Sequence, residues 1–148
     1  MEQVTIRIAE QRDVENLKKL MHEYIVNFYQ SPVPAAGKLD WLIGTLLKGD
    51  RGLQFVAENE GELVGFATLY FTFSTTRVAN ITVMNDLYVL AEGRGKGIAE
   101  QLFQTCLAFT KEQGYASMLW ETANDNYRAQ RFYEKMGATP GDWISYSL

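Results

Sequence analysis

Across 148 residues there is one histidine, His22, one cysteine, Cys106, and only three prolines. A single cysteine excludes an internal disulfide and any metal cluster built on cysteine ligands. With His22 as the sole histidine, Ser-His-Asp, Cys-His and histidine–metal chemistry are set aside, and no metal is expected. Excess positive charge is missing too: 14 Lys+Arg stand against 18 Asp+Glu, for a formal charge of −4. Such a surface repels phosphate backbones, so nucleic acid is not an expected partner, whereas a cationic small molecule is welcome. No run approaches the roughly 18 apolar residues of a membrane span. The opening MEQVTIRIAEQ lacks the apolar centre of a signal peptide. No membrane partner and a reducing, cytoplasmic setting are therefore the expectations.

What is present reads as an ordinary folded chain. Apolar residues make up 47% and charged residues 22%, and the length suits one domain spanning 1–148. Val4 to Ala9 alternates apolar and polar residues as a strand does. Asp13 is a good helix N-cap. Behind it Leu17, Leu20, Met21, Tyr24, Ile25 and Phe28 recur at helical spacing until Ser31-Pro32-Val33-Pro34 stops the helix. A short helix is expected over Leu39 to Leu47. Leu53 to Ala57 and Leu63 to Phe73 flank Glu58-Asn59-Glu60-Gly61-Glu62 as a hairpin. Ile81 to Leu90 reads as a strand, Ile98 to Gln113 as a helix and Ala116 to Thr122 as a strand. Tyr127 to Met136 reads as a helix closed by Gly137, and Trp143 to Leu148 as a last strand. The order β-α-α-β-β-β-α-β-α-β is mixed α/β, without repeats or a linker.

The most informative segment is Asp86-Leu87-Tyr88-Val89-Leu90-Ala91-Glu92-Gly93-Arg94-Gly95-Lys96-Gly97-Ile98-Ala99. A strand ends, three glycines follow at alternate positions, and an amphipathic helix begins. Glycines let the backbone turn sharply and approach a ligand. Successive N–H groups at a helix N-terminus attract an anion, and Arg94 and Lys96 add charge. A phosphate-bearing ligand is implied. The P-loop reading fails, because Gly97 stands where Ser or Thr is required. A GxGxxG reading from Gly95 fails as well, because Glu100 takes the last glycine's place. The plain alternative is a glycine-rich connection with no ligand.

A second segment runs Asn126-Tyr127-Arg128-Ala129-Gln130-Arg131-Phe132-Tyr133-Glu134-Lys135-Met136-Gly137. Seven positions, nearly two helical turns, separate Asn126 from Tyr133, so both share a face with the small Ala129 between them. The plain alternative is that Phe132 and Tyr133 pack into the core and Asn126 caps the helix.

Together the two segments resemble the GNAT superfamily of N-acetyltransferases. Arg94-Gly95-Lys96-Gly97-Ile98-Ala99 is similar to its Q/R-x-x-G-x-G/A motif, and Asn126-x-x-Ala129-x-x-Phe132-Tyr133-x-x-x-Gly137 to its second helix signature. The resemblance covers essentially the whole chain. It implies a twisted, mostly antiparallel sheet with parallel strands splayed at the CoA site and about four flanking helices. It implies acetyl-CoA as donor, with the pyrophosphate on the backbone of Arg94, Gly95, Lys96, Gly97, Ile98 and Ala99. The pantetheine arm would lie along Leu87, Tyr88 and Val89, touched by Asn126, and Tyr133 would protonate the departing thiolate. A homodimer joined through C-terminal strands is also implied. Members of the family often place a glutamate on the strand before the turn as a base, and no glutamate stands between Ile81 and Leu90.

The acceptor side follows from acidities. An alkyl ammonium, with a pKa near 10.4, leaves only about one molecule in a thousand neutral at pH 7, so the site must shed a proton before attack. An oxyanion then needs a fixed N–H, expected from Val89. Asn85 and Asp86 interrupt an otherwise apolar strand, a placement that costs free energy unless partners are found. Asp86 is the first candidate for drawing in the amine, and Glu121, on the facing strand, the second. Cys106 falls inside a helix and is expected to be buried and inert. Tyr70-Phe71-Thr72-Phe73-Ser74-Thr75 with Asn85-Asp86-Leu87-Tyr88-Val89 resembles the polyamine and small histone-type branch. That likeness implies a small basic amine as acceptor. A protein lysine or N-terminal acetyltransferase and a non-catalytic CoA-binding domain are the competing expectations.

Overall fold

Gly52–Asn59 and Glu62–Ser74 (β2 and β3) form the expected hairpin, with Leu53 opposite Leu69 and Phe55 opposite Ala67. In the computed structural model, which describes residues 3–148, they are the centre of a five-stranded sheet ordered β1-β2-β3-β4-β5. β1 is Val4–Ile8, β4 is Ala79–Val89 and β5 is Met118–Leu119. β1 to β4 run antiparallel; β5 lies parallel to β4 through only Thr82–Met118 and Val83–Leu119. The four α-helices are α1 (Val14–His22), α2 (Lys38–Leu47), α3 (Ile98–Glu112) and α4 (Tyr127–Lys135).

The period-two alternation of the strands splits the core into two layers. Val56, Phe66 and Tyr88 face α1 and α2 through Leu17, Met21 and Ile43. Phe55, Ala67, Leu69, Met84 and Val89 face α3 through Leu102, Phe103 and Cys106. Cys106 is fully buried and its thiol is pushed up to about 12 by that burial, so it is inert as expected.

Four expectations need correction. The first helix does not run unbroken to Phe28: α1 ends at His22 and a π-helical stretch, Glu23–Phe28, follows. Asp13 stands at the N-cap of α1 without capping it; its carboxylate instead accepts two bonds from Arg7 (2.7 and 2.9 Å) and the Glu10 N–H (2.7 Å). The strand foreseen over 116–122 shrinks to Met118–Leu119, because β4 bends away beyond Val83. No strand forms over Trp143–Leu148. A two-residue β5 gives that tail too short an edge to pair with, and Trp143, Ile144, Tyr146 and Leu148 are all exposed.

Candidate active site

The bend in β4 has a definite origin. Thr68 opposes Asp86 while its neighbour Leu69 opposes Met84, so Asn85 is an extra residue with no partner on β3. Such a bulge shifts the alternation of everything after it. Before the bulge, Met84 points to the α3 layer, and Thr82 bonds Thr110 of α3 at 2.8 Å. After it, Leu87 and Val89 take the α3 side, and Tyr88 takes the α1 side. Had β4 kept strict alternation through Asn85, Asp86 would share the side of Met84 and enter the α3 core. With the bulge, the carboxylate emerges on the α1 side, half-buried, where Tyr24 donates to Oδ1 at 2.9 Å and Asn85 Nδ2 to the same oxygen at 3.2 Å.

The bulge also opens the sheet. Thr82 N–H still reaches Ser117 O on the β5 side at 3.0 Å, but the β4–β5 ladder ends one residue later at Val83. The Leu90 N–H bonds Val64 O on the β3 side at 2.9 Å. By alternation, the N–H and C=O groups of Leu87 and Val89 point the other way, into the splay between β4 and β5. An extended ligand with amide groups of its own can add there as a strand would.

The splay leads into the glycine turn. A single 3₁₀ turn, Ala91–Gly93, brings the chain off β4, and α3 starts at Ile98. Gly95 and Gly97 have φ of +79° and +78°, and a Cβ at either would meet nothing within 4 Å. Glycine is therefore required here by backbone conformation and not by crowding. Gly97 is the N-cap of α3, and no side chain caps the helix. The first-turn amides of Ile98, Ala99 and Glu100 have no carbonyl one turn behind them and face outward with the positive end of the helix. The Arg94 side chain, by contrast, folds back: Nε donates to Val89 O at 3.2 Å and the guanidinium carbon stands 6.0 Å over the Phe28 ring. Only its backbone lies in the turn. Lys96 is exposed.

Across the splay lies α4. Tyr133 is half-buried among Phe103, Trp120 and Phe132, with ring centroids 6.3, 5.3 and 5.5 Å away. Burial, with a smaller contribution from the nearby Tyr29, pushes its phenol up to about 12, so it keeps its proton at neutral pH. Asn126 caps α4, its Oδ1 accepting the Ala129 N–H at 3.1 Å. Its role in the fold is thus that of a helix cap. Glu121 is not on a facing strand, since β5 ends at Leu119; it is exposed, and Oε2 accepts Ser145 Oγ at 2.5 Å. That places it with the tail and not among the groups around Asp86.

Two residues to which the sequence assigns no role of their own lie near these groups. Tyr29 stacks edge-on against Tyr24, with ring centroids 4.9 Å apart, and adds a little to the rise of the Tyr133 phenol. Tyr70 is half-buried, and its phenol is raised by burial and by the charge of Asp86. Tyr70 stands in the Tyr70-to-Thr75 run that carries the family likeness; Tyr29 gives no signal, because on an α-helix it faces away from Tyr24. Among the described residues, no cluster of His, Cys, Asp and Glu is arranged to hold a metal. Nor is any helix long and apolar enough to cross a membrane.

Comparison with known proteins agrees with this geometry. Residues 14–138 match the acetyltransferase (GNAT) family. An uncharacterised N-acetyltransferase of Bacillus subtilis, YhfO, is 28% identical over 134 residues, covering 90% of this chain and 89% of that protein. The D-amino-acid N-acetyltransferase HPA3 of Saccharomyces cerevisiae is 29% identical over 138 residues, covering 91% and 84%. Among solved structures, the aminoglycoside N-acetyltransferase AAC(6')-Iy in complex with CoA shares the fold, with a TM-score of 0.80 at 17% identity, over 100% of this chain and 95% of that one.

Proposed function

The chain belongs to the GNAT family of acetyltransferases, and from that premise we propose that it moves an acetyl group from acetyl-CoA to the primary amine of a small basic molecule, polyamine or lysine-like. That it is an N-acetyltransferase follows from the family; the acceptor is our reading. The observation that carries it is the position of Asp86. A bulge delivers this half-buried carboxylate to the side of the aromatic group Tyr24, Phe66 and Tyr88, with Tyr24 and Asn85 both on Oδ1. A carboxylate beside π faces is a site for an ammonium group.

The chain fits the donor in two places. The N–H and C=O of Leu87 and the N–H of Val89, facing the splay, suit an arm that carries amides; the Val89 carbonyl already accepts Arg94 Nε. The uncapped amides from Gly97 to Ala99, on left-handed glycines, suit a diphosphate. Asn126 Nδ2 is the expected side-chain contact. Acetyl-CoA supplies the acetyl thioester and the sulfur from which the acetyl leaves.

The protein's own groups then have separable tasks. Asp86 draws in the ammonium and, directly or through a water, takes the proton that must leave before the nitrogen lone pair is usable. The Val89 N–H donates to a carbonyl oxygen as that oxygen gains negative charge. Tyr133, protonated at neutral pH, gives its proton to a thiolate.

A second reading takes an amino acid as acceptor. HPA3 is named a D-amino-acid N-acetyltransferase, and Arg94, its guanidinium over Phe28, offers a counter-charge for an acceptor carboxylate. Turnover separates the readings: thiol release from acetyl-CoA is followed with spermidine, lysine methyl ester, D- and L-amino acids and a lysine peptide. The polyamine or lysine-like reading requires the first two to be fastest. Preference for free amino acids selects the second reading, and preference for the peptide defeats both.

We also propose that the chain forms a homodimer through its tail. Residues 143–148 carry four large apolar side chains with no core to enter, next to the open β5 edge. The matching apolar tail of a second copy would cover these side chains, as in a two-fold interface.

A further inference from the structure

Two irregularities, one in a strand and one in a helix, meet at a single hydrogen bond. The extra residue Asn85 turns Asp86 toward α1. The chain beyond α1 switches to i→i+5 bonding, with Tyr29 N–H on Tyr24 O at 3.1 Å. That wider turn brings residues five apart onto one side, where an α-helix would separate them. Tyr24, Phe28 and Tyr29 consequently gather into one cluster.

Tyr24 is held on several sides. Its ring centroid lies 5.3 Å from Phe66, 5.1 Å from Tyr88 and 4.9 Å from Tyr29. With the ring held in place, the hydroxyl oxygen stands beside Asp86 and donates to Oδ1 at 2.9 Å. Asn85 Nδ2 occupies the same oxygen. Among the described residues Oδ2 receives no hydrogen bond. Burial and the charge of Asp86 hold the Tyr24 phenol far above its ordinary value, so it remains a donor.

We propose that Tyr24 is a positioning residue for the acceptor: it acts through Asp86, holding Oδ1 so that Oδ2 alone meets the incoming ammonium. This rests on the reading of Asp86 as the acceptor's anchor. A plain packing role for Tyr24 makes a different prediction, since Tyr24→Phe keeps the ring and its neighbours and removes only the hydroxyl.

The test is a double-mutant cycle on cation affinity. n-Butylammonium chloride is titrated into wild type, Tyr24→Phe, Asp86→Asn and the double variant, following the backbone amide resonances of Asn85 and Asp86. Melting temperature and coenzyme A affinity are measured alongside. The wild type should saturate. Tyr24→Phe should weaken the cation about fivefold and Asp86→Asn more than about tenfold, with no further loss in the double variant. Asn85→Ala, which strips the longer bond from Oδ1 and leaves the aromatic cluster whole, should weaken it less than Tyr24→Phe does. Wild-type affinity in Tyr24→Phe, additive losses in the double variant, or no saturation in the wild type would each overturn the proposal. Should the cycle behave as expected while coenzyme A fails to bind, the positioning role stands and the transferase reading falls.

Discussion

Tyr133 leans on Trp120, with ring centroids 5.3 Å apart and planes inclined by 58°. This contact, with Phe103 at 6.3 Å, half-buries the ring. A phenol buried this way resists ionisation, its value raised to about 12. Tyr133→Phe should therefore lower kcat about 10²-fold. The loss should be the same from pH 7 to pH 10, because Tyr133 stays protonated throughout that range. Coenzyme A affinity by calorimetry should not change. A loss that fades toward pH 10 would assign the proton to another group.

Gly97 tests the anion cradle. Gly97→Ala places a Cβ in a left-handed backbone, at a cost of about 1 kcal/mol, where there is room for it. The fold should survive with a small drop in melting temperature. Coenzyme A affinity should fall by about tenfold, as the turn relaxes and its amides lose their common aim. Equal affinity in the variant would mean that the turn holds no diphosphate.

Arg7 and Asp13 govern acid stability. Arg7 grips Asp13 with two hydrogen bonds and Glu58 with a third, tying β1 to β2 and to the start of α1. The Arg7 bonds, chiefly, hold the Asp13 carboxyl below its ordinary value of 3.8, against burial that works the other way. The resulting stability is fully present above 3.8 and is lost as pH falls through the lower, folded-state value. Urea midpoints should therefore drop on acidification below about pH 4, and less steeply in Asp13→Asn. Arg7→Ala, which leaves Asp13 buried without its partner, should cost about 2 kcal/mol at pH 7.

The tail supplies a prediction about assembly. Removing residues 143–148, or changing Trp143→Glu and Ile144→Lys together, takes away apolar area that the isolated chain exposes. Sedimentation should show a dimer for the intact chain and a monomer for either variant. A monomer in both cases would remove the assembly proposal without touching the active site.

Periodic features were readable in the residues themselves. The β2–β3 hairpin, α3 and the glycine turn each rest on local signals: strand alternation around Glu60-Gly61, an apolar stripe, three alternating glycines. What escaped was every departure from a period. Asn85 looked like a polar break in a strand, and nothing local says that it flips all later residues to the opposite face. Glu23–Phe28 satisfied an α-helical stripe because Tyr24, Ile25 and Phe28 keep that spacing, while Tyr29 joins them only on a wider turn. Trp143–Leu148 alternates as a strand does, yet a strand needs an edge, and β5 offers two residues. Two of these irregularities meet at the Tyr24–Asp86 bond, so sequence pattern singled out Asp86 and did not show Tyr24 beside it, or Tyr29 against Tyr24.

The account depends most on coenzyme A lying along β4 and across the glycine turn. Titrating coenzyme A into isotopically labelled protein tests this residue by residue through the backbone amide resonances. The predicted result is saturable shifts at Leu87 and Val89, from Gly95 through Ala99, and at the Asn126 side-chain amide, with Lys48 to Gly52 unmoved. Binding with no shift at Val89 or between Gly95 and Ala99 would contradict it.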